Sequence, residues 1–191
     1  MTETAPVTSA RRDELLDRAY RYVTEHGLSA MSLRPLATEI GSSPRVLLFL
    51  FGSKDGLVRA LLARARADEM AHVQRVRLED GVDLTRIGLE TWRWLTAEAH
   101  RGLLTLWTES YARSLIEPDG PWAGFAASTV DDWLALLADT QPADERETRA
   151  GEARRTLVLA ILRGALLDLL ATGDIARTTG AVTAALDSLS T

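Results

Sequence analysis

Apolar residues recur at intervals of three and four along most of this chain, which is the spacing that places them on one face of an α-helix. The first such stretch covers residues 11–26, and its apolar stripe consists of Leu15, Leu16, Ala19, Tyr20 and Val23. No stretch shows the alternation of apolar and polar residues that is typical of a half-buried strand. The pattern therefore predicts an all-α protein.

Two short helices are predicted between residues 32 and 54, with one tight turn between them. Ser32 can cap the first helix and Gly41 ends it. Ser43 can cap the second helix, and Pro44 follows at the first helical position, where its missing N–H costs little. Two short helices joined in this way are typical of a helix-turn-helix, whose second helix can enter the major groove of DNA.

The rest of the chain also has helical patterns. Ser53 can cap a long helix, and we place a domain boundary along it, which divides the chain into residues 1–64 and 65–191. Further helices are predicted over residues 84–100, 103–116, 122–138, 156–173 and 175–190. The first 14 residues lack the apolar core of a signal peptide, and we predict that they form a short disordered arm of the first domain.

Charge is distributed unevenly over the 191 residues, whose net charge is −5. Residues 1–66 contain 10 basic and 7 acidic side chains, net +3, whereas residues 67–191 contain 12 and 20, net −8. A basic N-terminal part on an acidic body fits nucleic-acid contact at one end. There is no cysteine, and the most apolar run is interrupted by Arg163 and Asp168, so we expect a cytoplasmic protein with no membrane partner.

Several residues between positions 15 and 62 follow one known pattern. They are Gly27, Ser32-Leu33-Arg34, Leu36-Ala37, Gly41, Leu48-Phe49-Leu50-Phe51, Gly52-Ser53-Lys54 and Leu57. With this pattern the sequence resembles the TetR family of bacterial transcriptional regulators. The resemblance implies a three-helix N-terminal helix-turn-helix domain and a helical C-terminal domain for ligand binding and dimerisation. It further implies a repressor that binds a palindromic double-stranded DNA operator as a homodimer, and a ligand that changes the separation of the two reading helices.

The resemblance also implies which residues contact DNA. They are Ser32, Arg34, Ser43, Pro44, Arg45, Leu48, Phe49, Ser53 and Lys54. Arg34 and Arg45 are suited to guanine or phosphate, and Lys54 is suited to phosphate. The serine hydroxyls can also bond phosphates, although capping a helix would explain each serine equally well.

The second helix departs from the family pattern. Leu48, Phe49 and Leu50 stand where the family usually has tyrosine and often histidine, so the helix lacks a hydroxyl and an imidazole for phosphate. Two interpretations are open: these side chains contact DNA, for example at a thymine methyl group, or Phe49 and Leu50 pack inside the protein. A second function is also open, namely a helical module that binds a small molecule or a protein and has weak or no specific DNA binding.

All five tryptophans lie beyond residue 91, and large aromatic side chains between helices are typical of ligand pockets. We predict a pocket for a small apolar or aromatic ligand, lined by Trp92, Trp107, Tyr111, Trp122, Phe125 and Trp133. The alternative is that these side chains form the hydrophobic core. Arg163, on an otherwise apolar helix, could orient the ligand.

The helix over residues 156–173 is apolar on more than one face, which is more than one core easily covers. A four-helix interface with a second copy would bury the excess, and we predict that the interface contains Val158, Leu162, Leu166 and Leu169. The alternative is a central helix buried within one large helical domain.

Catalytic and metal chemistry have no support in the sequence. The three histidines, His26, His72 and His100, lack the spacing of metal ligands on one helix. No phosphate-binding loop or nucleophile motif is present. We expect neither an enzyme nor a bound metal or cofactor.

Overall fold

A computed structural model describes residues 5–26, 32–77 and 82–189. This part of the chain contains ten α-helices and a 3-10 helix at Glu98–His100, which confirms the all-α fold. The α-helices are α1 (Ala5–His26), α2 (Leu33–Glu39), α3 (Pro44–Phe51), α4 (Lys54–Arg77), α5 (Leu84–Leu95), α6 (Arg101–Ile116), α7 (Phe125–Ala138), α8 (Ala143–Arg146), α9 (Arg149–Thr172) and α10 (Ile175–Asp187).

The chain divides into two compact units. The N-terminal unit consists of Met1–Asp68 and Glu98–Ser110, and the C-terminal unit consists of Glu69–Ala97 and Tyr111–Thr191. The division therefore falls within α4 and again within α6. The boundary that we place between residues 64 and 65 stays a prediction.

Most of the predicted helix starts have the expected side-chain caps. Ser43 Oγ accepts a hydrogen bond from the Val46 N–H at 3.3 Å, and Ser53 Oγ accepts one from the Gly56 N–H at 2.9 Å. Ser32 is the exception, because it stands at the start of α2 but its side chain makes no capping hydrogen bond. Gly27, the predicted end of the first helix, lies outside the described residues.

Several boundaries differ from the prediction. α5 ends at Leu95, although the pattern predicts a helix to residue 100. α1 already begins at Ala5, so a disordered arm of 14 residues is wrong. α7 begins at Phe125, after a turn that contains Gly124 at a φ of 75°. α9 begins at Arg149, where Thr148 caps it. The early turns of α1 and α9 are rich in alanine and arginine, which favour helix without giving an apolar stripe.

The core of the C-terminal unit lies where α5, α9 and α10 pack against one another. Trp92 of α5 is 1% exposed, and its Nε1–H donates to Thr179 Oγ1 of α10 at 2.9 Å. Gly88 allows the close approach, since a Cβ there would be 2.8 Å from Leu186 Cδ1. Trp92 is therefore a core residue that ties α5 to α10.

The interface residues predicted on α9 need correction. Val158, Leu162 and Leu166 are buried within the single chain, and Leu169 is half-buried. Their side of α9 is occupied because α5, α7 and α10 pack against this helix. A second copy could meet only the opposite side, where the exposed residues are Leu157, Ala160, Gly164, Leu167 and Ala171.

Gly151 and Gly164 offer a matched test of packing on α9. A Cβ at Gly151 would overlap the backbone oxygen of Glu145, whereas a Cβ at Gly164 would have no atom within 4 Å. We expect Gly151→Ala to lower the free energy of unfolding by about 1–3 kcal/mol through overpacking. Gly164→Ala should raise it by roughly 0.5–1 kcal/mol, since glycine is unfavourable within a helix. Urea denaturation followed by circular dichroism measures both, and equal effects would contradict the packing at Gly151.

The described residues contain neither a membrane-spanning helix nor a cluster of metal-binding side chains. No helix among them is long and apolar enough to cross a membrane. No group of three histidine, aspartate or glutamate side chains in the same ranges is arranged to hold a metal ion.

Candidate nucleic-acid interface

The helix-turn-helix is built on a small apolar core in the N-terminal unit. α1 packs against both α2 and α3. The buried side chains of these helices and the turn are Leu15, Ala19, Val23, Leu36, Ala37, Ile40, Leu47 and Phe51. From the apolar stripe predicted for the first helix, Leu15, Ala19 and Val23 lie in this core, while Leu16 and Tyr20 are half-buried. The core fixes one side of α3.

The turn between α2 and α3 sets the direction in which α3 leaves. Gly41 has a φ of 68°, a left-handed conformation that is unfavourable for residues with a Cβ atom. The Ser42 N–H donates to the Ala37 oxygen at 2.7 Å, and Arg18 Nη1 of α1 donates to the Ile40 oxygen at 3.2 Å. The first bond closes the turn and the second holds it against α1, so α3 has a defined orientation.

α3 has one buried and one exposed side. Leu47 and Phe51 are buried, and the guanidinium of Arg12 lies 4.9 Å from the centre of the Phe51 ring. Arg45 and Phe49 lie on the other side, where Phe49 is 79% exposed. Packing of Phe49 inside this chain, one of the two open interpretations, is therefore wrong. We call the exposed residues Arg45, Val46, Leu48 and Phe49 the reading face.

Three exposed cations lie near the starts of the helices around the reading face. Arg34 is on the first turn of α2, Arg45 is on the first turn of α3, and Lys54 begins α4. None of the three makes an ion pair with a residue in the described ranges. By contrast, Arg18 on α1 pairs with Glu14 at 2.6 Å. The surface around α3 therefore carries positive charge that is not neutralised by its neighbours.

A charged cluster connects α4 to α1 behind the helix-turn-helix. Arg64 Nη1 lies 2.6 Å from Asp17 of α1, and Arg64 Nε lies 3.2 Å from Asp68. The guanidinium also lies 5.7 Å from the centre of the Tyr20 ring. The charge of Asp68, with a further contribution from Asp17, raises the pKa of Arg64. Because the cluster is exposed, we expect it to orient α4 on α1 and to add little to the free energy of unfolding.

The residues predicted to line a ligand pocket are distributed over several environments. Trp92 belongs to the core described above, and Trp107 is half-buried in the N-terminal unit. Trp122 and Phe125 contact each other edge to face, with ring centres 5.3 Å apart. Trp133 is buried on α7. Within the C-terminal unit, Trp122 and Phe125 are thus neighbours, as the predicted pocket requires of them.

Tyr111 contacts Arg163, a pairing that the sequence did not predict. Arg163 Nη1 donates to Tyr111 Oη at 3.1 Å, and Arg163 Nη2 lies 3.5 Å from Thr129 Oγ1. The guanidinium also lies 5.2 Å from the centre of the Tyr111 ring. Arg163 was a candidate from its apolar surroundings in the sequence, whereas Thr129 gave no such signal.

A cavity of about 130 Å³ lies elsewhere in the C-terminal unit. Its lining residues are Asp83, Leu84, Thr85, Thr140, Gln141, Pro142, Glu145 and Arg154. None of them is among the predicted pocket residues. Gln141 is buried there, but its amide already donates to the Gly151 oxygen at 3.0 Å and accepts from Arg155 at 3.2 Å. Its side chain therefore joins the connection between α7 and α8 to α9.

Comparison with known proteins gives the same family as the helix-turn-helix residues. The model of the bacterial regulatory proteins of the tetR family matches residues 15–61. The resemblance to the TetR family is confirmed. The TetR match covers α2, α3 and the parts of α1 and α4 that support them. No curated protein sequence matches the chain.

Solved structures extend the TetR fold beyond the matched residues. A transcriptional regulator from Rhodococcus sp. Rha1 is 20% identical, with a TM-score of 0.72 over 93% of this chain and 95% of that one. The multidrug binding protein EbrR, solved with imidazole, is 22% identical, with a TM-score of 0.67 over 94% and 89%. NalD, the secondary repressor of the MexAB-OprM multidrug efflux pump in Pseudomonas aeruginosa, is 18% identical, with a TM-score of 0.59 over 96% and 95%. The TetR fold, a helix-turn-helix domain followed by a helical C-terminal domain, is thus present over nearly the whole chain.

Proposed function

We propose that this protein is a ligand-responsive transcriptional repressor that binds a palindromic DNA operator as a homodimer. One observation carries the proposal: a TetR-type helix-turn-helix exposes its second helix beside Arg34, Arg45 and Lys54, which form no ion pairs with other described residues. A polyanion would supply the missing negative charge. Arg45 would contact a base edge or phosphate, and Lys54 would contact phosphate.

The homodimer would form through the exposed sides of α9 and α10. The small residues Ala160 and Gly164 on α9 and Gly180 on α10 are exposed, and a Cβ at either glycine would have no atom within 4 Å. Small residues let helices from a second copy approach closely, and Leu167 would supply apolar contact area. Two bonds from Arg177 to Asp168, each 2.7 Å long, hold the start of α10 against the end of α9.

The ligand would be a small apolar or aromatic molecule bound in the C-terminal unit. EbrR is described as a multidrug binding protein, and it shares this fold. Of the six predicted residues, Trp92 is bonded to Thr179 in the core and Trp107 belongs to the N-terminal unit. The ligand contacts are therefore proposed at Tyr111, Trp122, Phe125 and Trp133, with Arg163 as the polar group. The ligand regulates only if it binds one spacing of the two reading helices better than the other.

The DNA-binding proposal is tested by titrating the full-length protein against the DNA upstream of its own gene. We expect selective binding that weakens as salt is raised, because phosphate contacts release counterions. Arg45→Ala should cost about 1–3 kcal/mol for each base contact that it removes. Lys54→Ala should weaken binding to all sequences alike and reduce the salt slope by about one per subunit.

Arg93→Ala is the matched control for charge. Arg93 is an exposed cation on α5, where it pairs with Glu90. The variant removes one positive charge, as Arg45→Ala and Lys54→Ala do, and it should leave DNA affinity unchanged. Binding no stronger than to random DNA at moderate salt would contradict the proposal.

The second candidate is a module that binds a protein or small molecule and no longer recognises DNA. It is favoured by the exposed apolar side chain of Phe49, which suits a protein contact. The same titration separates the two candidates, since only the repressor selects its own upstream DNA.

A further inference from the structure

We propose that α3 reads thymine methyl groups in the major groove and that Phe49 is the residue that determines this specificity. The inference rests on the proposed DNA-binding function and adds the class of base sequence that is recognised. Three features of the reading face carry it: its hydrogen-bonding groups, the position of its apolar side chains, and the charge around it.

Hydrogen-bonding groups are nearly absent from the side chains of α3. Its sequence is PRVLLFLF, so Arg45 is the only side chain of the helix with a donor, and no side chain of the helix is an acceptor. Arg45 can pair with guanine. Adenine and cytosine are usually read by amide or carboxylate side chains, and α3 has neither. For bases other than guanine, the side chains of α3 can therefore make only apolar contacts.

The apolar side chains occupy the part of α3 that would meet the base edges. Phe49 follows Arg45 by four residues, so the two lie on the same side of the helix, one turn apart. Leu48 and Val46 flank them and are 41% and 38% exposed. Because Leu47 and Phe51 fix the opposite side in the core, α3 cannot turn these residues away from a groove without losing that packing.

The major groove offers one apolar group on its base edges, the C5-methyl of thymine. A phenyl ring placed against the polar edge of guanine, adenine or cytosine would remove water from donors and acceptors without replacing its hydrogen bonds. Against a thymine methyl, the same ring buries apolar surface on both partners. Phe49 therefore favours thymine and disfavours the other bases at the positions that it covers.

The charge around the reading face favours DNA over a protein groove as the partner. Arg34, Arg45 and Lys54 are exposed and make no ion pairs with other described residues. Exposed cations on α2, α3 and α4, together with an apolar side chain on α3, suit a major groove, which has methyl groups on its floor and phosphates along its edges. If the partner of this face were a protein, the experiment below would show no sequence-selective DNA binding.

The test replaces thymine by deoxyuridine, which removes the methyl group and leaves base pairing intact. An operator is first selected from random duplexes with the full-length protein, and each thymine pair of the half-site is then replaced in turn. We expect at least one position at which the replacement weakens binding about fourfold for each methyl removed. Replacing that position in both half-sites should weaken binding on the order of tenfold, measured by fluorescence anisotropy at fixed salt.

Variants of the protein assign the effect to Phe49. Phe49→Ala should bind the thymine operator more weakly and should no longer distinguish thymine from deoxyuridine at that position. Its thermal unfolding should match that of the parent protein, because the side chain is 79% exposed. Lys54→Ala is the control: it should weaken both duplexes by the same factor and keep the ratio between them.

The possible failures are distinct. Selective DNA binding that is equal for thymine and deoxyuridine at every position would overturn this inference and leave the proposed repressor function standing. Retention of the thymine preference in Phe49→Ala would overturn the role of Phe49. No sequence-selective binding at all would overturn both the inference and the proposed function.

Discussion

Replacing Trp92 by alanine should destabilise the C-terminal unit by about 3–5 kcal/mol, the usual cost of truncating a buried tryptophan. The indole is 1% exposed, and it supplies both apolar area and a hydrogen bond to Thr179 between α5 and α10. Whole domains are stable by only about 5–15 kcal/mol, so the loss would take a large share of the total. Chemical denaturation followed by circular dichroism measures the change.

Trp94→Ala is the matched control for this prediction. Trp94 lies two residues further along α5 and is half-buried. Its substitution removes the same kind of side chain from the same helix, but at a less buried position. We expect a clearly smaller loss for Trp94→Ala, and equal losses would contradict the central role of Trp92. Thr179→Val isolates the hydrogen bond and should cost about 1–3 kcal/mol, since it leaves the buried indole N–H without its partner.

Replacing Leu167 by arginine should convert the protein from dimer to monomer. Leu167 is 51% exposed on the side of α9 that the protomer leaves uncovered. In the proposed interface each copy would bury an uncompensated charge, and an unpaired buried charge commonly costs about 3 kcal/mol or more, which corresponds to a dissociation constant at least about 100-fold higher. Sedimentation at micromolar concentration measures the change, and circular dichroism should show an unaltered helix content.

Ile116→Arg is the control for the dimer prediction. Ile116 is 76% exposed at the end of α6, away from α9 and α10 in the sequence, and the same apolar-to-cationic change there should leave the dimer intact. Operator affinity should fall with Leu167→Arg and not with Ile116→Arg, because a palindromic site requires two reading helices at once. A stable monomer of the parent protein at micromolar concentration would contradict the proposed assembly.

Local chemistry made the helix-turn-helix predictable. The helix start at Ser43-Pro44 and the left-handed turn at Gly41 depend on residues that are neighbours in sequence, and their conformations are as expected. The buried side of α3 also follows from the pattern, because Leu47 and Phe51 are one turn apart. The family follows from the same residues.

The sides of α9 were not predictable in the same way. Apolar residues occur all around this helix, so the sequence could not tell which of them the protomer covers; that depends on where α5, α7 and α10 pack. Val158 and Leu167 look equivalent as aliphatic residues, yet one is buried and the other is exposed. The pocket prediction had the same difficulty, since tryptophan is used both for cores and for ligand sites.

The exposure of Phe49 has a consequence for the protein when no DNA is present. An apolar side chain that is suited to a groove in DNA stays in contact with water in the free protein, and it then favours self-association. Solubility and discrimination between base sequences are thus in opposition at this one position. A polar substitution of Phe49 that is chosen to improve the behaviour of the purified protein would be expected to weaken its selection of target sites as well.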